Sequence, residues 1–293
     1  MEWEWEWESI AGPFNRLTEG PVWDGNRLLF THIPASRIMA YDPETSDCSV
    51  YRENTNHTNG LAFDINGNLY GCCSGGRAIV RFEKDGSTTT IVDRLDGVRL
   101  NTPNDLAIDR QGRIWFSNPW NDINIDPSEK PEMEERDILR ADPQSDGSWI
   151  CRRMTYDVTG TNGLLISPDQ LNLYMIQTEA ELGGLRELRS YPILNVVSLG
   201  QYIVLHQFGN DQRGPQRGID GMCLDSEGNI VATAGSWGSG PGPMIYIWNP
   251  TGRLIETHPM PVGVDMPTNC SFGDFDQSTL YVTWLLYTYD DAD

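Results

Sequence analysis

Short apolar runs of β-strand type alternate along the chain with clusters of Asp, Asn and Gly, and one arrangement recurs six times. Each copy has a polar lead residue, an apolar run, a turn rich in Asp or Gly, and a second apolar run. Because such clusters interrupt β-type runs, each copy predicts a strand, a tight turn and a second strand. The copies span residues 18–30, 58–70, 103–115, 161–174, 219–231 and 268–281.

The lead residues set the period of the repeat. They are Glu19, Asn59, Asn104, Asn162, Asp220 and Asn269, and successive leads lie 40 to 58 residues apart. Such a period in an all-β pattern is typical of propeller blades, and helical periodicity is weak throughout. The sequence therefore predicts a single six-bladed β-propeller domain over residues 1–293. The alternative is an all-β sandwich whose copies resemble one another by chance.

Closure of the ring is predicted from the first residues of the chain. A propeller leaves a sheet edge exposed unless its last blade is joined to its first. Residues 1–8 alternate Glu and Trp, which predicts a strand with one charged and one aromatic face. We expect this segment to pair with residues 280–284, and an exposed tail is the alternative. Outer strands are expected over Ala78–Phe82, Thr88–Val92 and 244–248.

Charge and composition narrow the possible partners. The 293 residues include 21 basic and 42 acidic side chains, for a net charge of −21, so nucleic acid and anionic membranes are not expected to bind. Residues 1–8 lack the features of a signal peptide, and no apolar stretch approaches the ~20 residues of a membrane span. The six cysteines lack C-x-x-C spacing, so free thiols and a cytoplasmic location are expected.

The lead residues carry candidate chemistry because the first strands of propeller blades surround the central axis. Glu19 and Asp220 supply carboxylates, and the Asn leads supply amide oxygens. This hard-oxygen set suits Ca²⁺, Mg²⁺ or Mn²⁺ better than structural zinc. Two carboxylates buried near an axis repel each other unless a cation or a proton lies between them. Any single lead Asn could equally form a turn or cap a strand.

Five motifs at these positions resemble those of a known family. They are Glu19-Gly-Pro-Val-Trp23, Asn59-Gly-Leu-Ala-Phe-Asp64, Pro103-Asn-Asp-Leu-Ala-Ile-Asp109, Asn162-Gly-Leu and Gly218-Ile-Asp-Gly-Met222. Together they resemble the senescence marker protein/gluconolactonase/luciferin-regenerating family of six-bladed propellers, from about residue 17 to residue 284. The resemblance implies one divalent metal ion at the mouth of the channel, with Ca²⁺ favoured and Mg²⁺, Mn²⁺ or Zn²⁺ as alternatives. The ligands that it implies are Glu19, Asn104, Asn162 and Asp220.

The activity that the resemblance implies is metal-dependent hydrolysis of a small-molecule lactone, as in sugar lactonases. A metal ion can polarise the lactone carbonyl and activate a water molecule, and Asp220 is the expected general base. Direct attack by Asp220, giving a covalent intermediate, is the alternative mechanism. Three other functions stay open: an organophosphate triester hydrolase using the same site, a non-catalytic binding module, and a metal-free propeller of the strictosidine-synthase type. The presence of both Glu19 and Asp220 argues against the last.

Substrate contacts are expected from loops at the same mouth. Arg99, Asn101 and Asn104 lie in or just before the P-N-D motif and are candidates to meet substrate oxygens. Trp120 is a candidate to stack on a substrate ring, although aromatic residues in blades usually belong to the core. The acidic segment 121–137 lacks periodicity and is expected to form a lid or a solvated surface loop.

Three further positions bear on the substrate and the metal site that the resemblance implies. Thr102 stands where some sugar lactonases have Arg, and Asn118 stands where many relatives have Asp. Both departures leave room for a substrate other than an aldonolactone. Asp105 is expected to cap its strand or, less often in such a position, to orient a metal ligand from behind.

Overall fold

The protein folds into an all-β propeller. The computed structural model describes residues 5–123, 125–179, 181–194 and 198–286. A single-turn 3-10 helix, Ile33–Ala35, follows the second strand. The strands are β1 (Arg16–Trp23), β2 (Leu28–His32), β3 (Arg37–Asp42), β4 (Asp47–Arg52), β5 (Thr58–Phe63), β6 (Leu69–Cys73), β7 (Ala78–Phe82), β8 (Thr88–Val92), β9 (Arg94–Leu95), β10 (Val98–Arg99), β11 (Leu106–Ile108), β12 (Ile114–Ser117), β13 (Ile138–Pro143), β14 (Trp149–Arg153), β15 (Thr161–Ile166), β16 (Asn172–Thr178), β17 (Arg186–Pro192), β18 (Ile203–Gln207), β19 (Asn210–Asp211), β20 (Gly214–Pro215), β21 (Ile219–Leu224), β22 (Ile230–Ser236), β23 (Ser239–Trp248), β24 (Leu254–Pro259), β25 (Pro267–Gly273) and β26 (Thr279–Leu286).

The strands form five large antiparallel sheets. Four of them hold four consecutive strands each: β5–β8, β11–β14, β15–β18 and β21–β24. The fifth has the order β25-β26-β1-β2-β3-β4. The strands β1, β5, β11, β15, β21 and β25 contact one another in that order, and β25 contacts β1. These inner strands therefore form a closed ring, as the predicted propeller requires.

Turn chemistry explains why the predicted strand pairs form. Oδ1 of Asp64 accepts hydrogen bonds from the backbone N–H groups of Asn66 and Asn68, both at 2.9 Å, in the turn between β5 and β6. Asp225 accepts the same pair of bonds between β21 and β22. A carboxylate that binds the amides two and four residues onward stabilises a tight reversal. The recurring Asp in the repeat is thus a turn residue.

Ring closure differs from the prediction. Arg16 and Leu17 of β1 pair with Leu286 and Leu285 of β26, and the hydroxyl of Thr18 donates to the carbonyl of Trp284 at 3.1 Å. Residues 5–8 are not in a strand, and residues 1–4 lie outside the described residues. The edge of β26 is already occupied by residues 16 and 17, so the Glu-Trp segment has no strand to pair with there.

The Trp side chains near the start of the chain contact the apolar surface of the propeller. Trp5 and Trp7 pack against a cluster that contains Val231, Ile245 and Cys270, from β21–β24 and β25. The Trp5 ring also stacks on His258, with ring centres 3.8 Å apart. These contacts leave Trp5 and Trp7 half-buried, without the expected strand.

Apolar side chains fill the spaces between neighbouring sheets. The described part of the chain forms six buried clusters, and each joins residues of two successive units of the ring. The three predicted outer strands are confirmed as β7, β8 and the last part of β23. All six cysteines are free thiols, as expected. Within the described residues, no helix has the length and apolar character to cross a membrane.

Candidate metal and active site

Irregular pairing marks the positions of the lead residues. The register between the first two strands of a unit shifts next to Glu19 in β1, around Asn162 in β15 and around Asp220 in β21. An unpaired residue in a bulge is free to aim its side chain away from the regular strand direction. The irregular pairing therefore lies beside the lead residue at equivalent points of the ring.

Glycines behind the lead residues allow the inner strands to approach one another. In four copies the residue after the lead is glycine: Gly20, Gly60, Gly163 and Gly221. A Cβ atom on Gly221 would lie 2.1 Å from Cγ of Asn269. One on Gly20, whose φ is +52°, would lie 2.5 Å from the carbonyl oxygen of Asn59. Because no Cβ fits there, glycine lets neighbouring leads meet at the axis.

Three carboxyl groups lie together inside this ring. Nδ2 of Asn269 donates to Oε2 of Glu19 at 3.1 Å and to Oδ2 of Asp105 at 3.3 Å. Glu19, Asp105 and Asn269 are each less than 10% exposed. Asp220 completes the group, and it accepts hydrogen bonds from Asn162 and from the guanidinium of Arg217. The amide of Asn269 therefore bridges Glu19 and Asp105, while Asn162 and Arg217 bind Asp220.

Burial and mutual repulsion raise the pKa values of these carboxyl groups. Burial raises the pKa of Glu19 well above its usual value, and the charges of Asp220 and Asp105 raise it further. Burial likewise raises the pKa of Asp105 to about 7. Burial also raises the pKa of Asp220, while the charge of Arg217 and the hydrogen bond from Asn162 oppose that shift. The cluster thus favours a proton or a cation between its members.

The donor set of this cluster fits a hard divalent cation only if amide oxygens take part. Within the residues that the structure describes, no group of three His, Cys, Asp or Glu side chains is placed to hold a metal ion. The ring supplies carboxylate oxygens from Glu19 and Asp220, and amide groups from its Asn leads. One of these amide oxygens, Oδ1 of Asn59, is buried without a hydrogen-bond partner. Oxygen ligands of this mixed kind suit Ca²⁺.

The four expected metal ligands differ in how closely the structure associates them. Glu19, Asn162 and Asp220 are linked by the electrostatic and hydrogen-bond contacts of the cluster. Asn104 lies just before β11, where its carbonyl oxygen accepts the N–H of Gly60 at 2.8 Å and its side chain is half-buried. Metal binding by all four stays a prediction.

Arg99 and Trp120, two expected substrate contacts, lie against the acidic segment 121–137. Nη1 of Arg99 donates to Oε2 of Glu129 at 2.9 Å. The buried Arg77 donates to the same oxygen at 2.9 Å, and its guanidinium lies 5.2 Å from the centre of the Trp120 ring. These ion pairs hold the segment against the sheet formed by β5–β8. Substrate contact by Arg99 or Trp120 stays a prediction.

Asn101 is fully buried and forms a hydrogen bond with the same acidic segment. Its Nδ2 donates to the carbonyl oxygens of Glu135 at 3.0 Å and Asn118 at 3.4 Å. The Oδ1 atoms of Asn101 and Asn118 are buried without a protein hydrogen-bond partner. Asn101 is fully buried here, and its contact with substrate stays a prediction.

Sequence reasoning did not select three residues of the cluster. Asp105 was expected mainly to cap its strand, and its Oδ1 does accept the N–H of Leu106 at 2.8 Å. Asn269 is a lead residue whose amide bridges two carboxyl groups. Its place in the repeat was a usable signal. Arg217 lies three residues before its lead, outside the repeated segments as they were bounded, and Arg16 is at the equivalent position before Glu19.

Residues 17–285 match the family described as SMP-30/Gluconolactonase/LRE-like region. The chain belongs to this family. A gluconolactonase of Zymomonas mobilis is 29% identical to it over 91% of this chain and 75% of its own length. A regucalcin of Xenopus laevis is 27% identical over 94% of this chain and 85% of its own. The resemblance inferred from the five motifs is thereby confirmed.

A solved structure supports the same assignment. The structure of a gluconolactonase from Xanthomonas campestris superposes with a TM-score of 0.75 and 29% sequence identity. The superposition covers 92% of this chain and 84% of that one. The SMP-30/gluconolactonase/LRE-like family membership therefore extends to the whole propeller.

Proposed function

We propose that this protein is a metal-dependent lactonase that opens the ring of a small-molecule lactone. The observation that carries the proposal is the meeting of Glu19, Asn162 and Asp220 on the inner ring. Burial raises the pKa of both carboxyl groups, and the charge of Asp220 raises that of Glu19 further. Such a cluster costs stability unless it binds a cation or takes part in chemistry. The similarity to gluconolactonases in sequence and structure supports a lactone as the substrate.

One divalent cation, with Ca²⁺ as the first choice, would be held by Glu19, Asn104, Asn162 and Asp220. When bound, it would polarise a lactone carbonyl and lower the pKa of a water molecule. The amide and carboxylate oxygens of the four residues supply the hard ligands that Ca²⁺ prefers. Asn269 orients Glu19 by donating to its Oε2 at 3.1 Å.

Asp220 is our choice of general base. The guanidinium of Arg217 and the amide of Asn162 favour its ionised form against the effect of burial, so it keeps a carboxylate that can accept a proton. Asp105 lies in the same cluster, where burial raises its pKa to about 7 in the absence of a cation. Nucleophilic attack by Asp220 is the competing mechanism, with a covalent ester as intermediate.

We also infer that β25 and β26 belong to a sixth blade. The closed ring contains six inner strands, β1, β5, β11, β15, β21 and β25. Six apolar clusters fill the spaces between successive units, and two of them contain residues of β25 or β26. The six-stranded sheet is then one complete blade joined edge to edge to the inner half of another.

The experiment is a hydrolysis assay on a panel of lactones beside a fluorophosphate ester, with and without EDTA. We expect lactone opening that EDTA abolishes and Ca²⁺ restores. Preference for the fluorophosphate would favour the organophosphate hydrolase, and metal binding without turnover of either would favour a binding module. Activity indifferent to chelation would contradict the metal-dependent mechanism.

A further inference from the structure

Arg217 places a fixed positive charge beside the acidic cluster. Nη2 of Arg217 donates to Oδ2 of Asp220 in an ion pair. Nη1 donates to the carbonyl oxygens of Pro267 at 3.0 Å and Gly235 at 3.3 Å. The guanidinium is thus held at three points, by β21, β25 and the end of β22. A planar group fixed in this way keeps its charge against the carboxylate.

This ion pair occupies one of the oxygen atoms that the proposed cation would need. Asp220 is the carboxylate that we assign both to the metal and to proton transfer, and its side chain is only 15% exposed. A buried carboxylate without a partner is costly, and Arg217 supplies that partner when no cation is present. The same guanidinium repels a second cation, because like charges a few ångströms apart interact strongly in a partly buried site.

We propose that Arg217 is a resident counter-ion that competes with the divalent cation for Asp220 and so sets the affinity of the site. This inference rests on the proposed function, because it presupposes a cation at the cluster. Two consequences of opposite sign follow. Loss of the guanidinium charge strengthens metal binding, since Asp220 is freed and one repulsive charge is removed. It also destabilises the metal-free protein, since Asp220 then lies buried without its counter-ion.

A matched control lies four residues earlier in the same connection. Arg213 forms an ion pair with Asp211 at 2.8 Å, and its side chain is 51% exposed, compared with 24% for Arg217. Arg213→Gln therefore removes the same charge from the same segment without touching Asp220. Arg217→Lys keeps the charge beside Asp220 but loses the planar fork.

The experiment is calorimetric titration of the metal-free full-length protein with CaCl₂, together with melting curves in EDTA. For Arg217→Gln we expect at least about tenfold tighter Ca²⁺ binding and a lower melting temperature in EDTA than for wild type. Arg217→Lys should stay within about threefold of wild type, and Arg213→Gln should be unchanged. Arg217→Met is a second neutral variant in case the Gln variant does not fold.

Several outcomes are decisive. Unchanged or weaker Ca²⁺ binding by both neutral Arg217 variants would overturn the inference, as would equal tightening by Arg213→Gln. Absence of Ca²⁺ binding by every variant would overturn it together with the proposed metal site. Ca²⁺ binding by Arg217→Gln but not by the wild type would support the inference, because it would show that Arg217 prevents the cation from binding. Tightened Ca²⁺ binding without any lactone hydrolysis would leave the Arg217 inference intact while contradicting the proposed lactonase.

Discussion

Aspartates at the turns and aspartates at the axis of this propeller have opposite electrostatics. In the turn between β13 and β14, Asp146 accepts the backbone N–H of Ser148 at 3.0 Å and its hydroxyl at 2.6 Å. These bonds lower the pKa of Asp146. At the axis, burial raises the pKa of Asp105 to about 7 even though its carboxyl group accepts two hydrogen bonds. The difference lies in solvation and in neighbouring charge.

That difference separates the turn carboxylates from the carboxylates of the proposed site. A turn carboxylate such as Asp146 is exposed to water and accepts hydrogen bonds from its own turn, so its ionised form is stable. Glu19, Asp105 and Asp220 share a buried site, where burial raises the pKa of each and the charge of Asp220 raises those of Glu19 and Asp105 further. Strongly perturbed carboxyl groups that face one another are typical of catalytic or metal sites. The predictions below test whether the two regions differ as their electrostatics indicate.

The largest expected effect is on turnover. Asp220→Asn should lower kcat/KM for the lactone by about 1,000-fold, because the amide cannot accept a proton and is a weaker ligand. The matched control is Asp146→Asn in the turn, which should leave kcat/KM unchanged. Steady-state kinetics on both variants provides the measurement, with circular dichroism to check folding. Full activity in Asp220→Asn would show that the general base is another group.

The second effect is on the pH dependence of stability without metal. The pKa of Asp105 rises from its ordinary 3.8 to about 7 on folding, so the folded state binds the proton more tightly. Protonation of Asp105 therefore contributes to the free energy of unfolding. This contribution is fully present below pH 3.8 and is lost as the pH rises towards 7, and it amounts to at most about 4 kcal/mol. Urea unfolding in EDTA between pH 4 and pH 7.5 measures this loss.

Asp105→Asn tests the source of that pH dependence. The variant should show a flatter decline, though not a flat one. The pKa values of Glu19 and Asp220 are also raised on folding, and that of Asp137 is raised to about 6. Asp146→Asn again serves as control, since the pKa of Asp146 is lowered rather than raised. An Asp105→Asn curve that runs parallel to wild type would contradict the assignment of the proton to Asp105.

The smallest expected effect concerns two glycines, one in each region. Gly221→Ala should lower the free energy of unfolding by roughly 2–3 kcal/mol, because the new Cβ would collide with the Asn269 side chain at the axis. Gly147→Ala should cost about 1 kcal/mol, since that Cβ meets open space and only its φ of +85° is strained. Equal losses in chemical denaturation would argue against close approach of the inner strands at the axis.

Much of the architecture was predictable because it depends on local chemistry. Each Asp turn, such as the one at Asp225, is closed by amides within four residues, so its signal lies in a short stretch of sequence. The period of the lead residues then indicated a propeller, and Glu19 and Asp220 were identified as members of one cluster. The predicted pairing of the first residues was wrong, because residues 16 and 17 of β1 occupy the edge of β26.

The sequence by itself determined the strand pairs, the turns, the glycines behind the lead residues and the family to which the chain belongs. Only the tertiary structure decided which groups surround the carboxylates: Asn269 bridges Glu19 and Asp105, and Arg217 pairs with Asp220. The physical reason is distance along the chain. Asn269 lies 250 residues from Glu19, and the two meet only because the ring closes. Local patterns fix the elements, whereas the electrostatics of the site depend on which elements the closed ring makes neighbours.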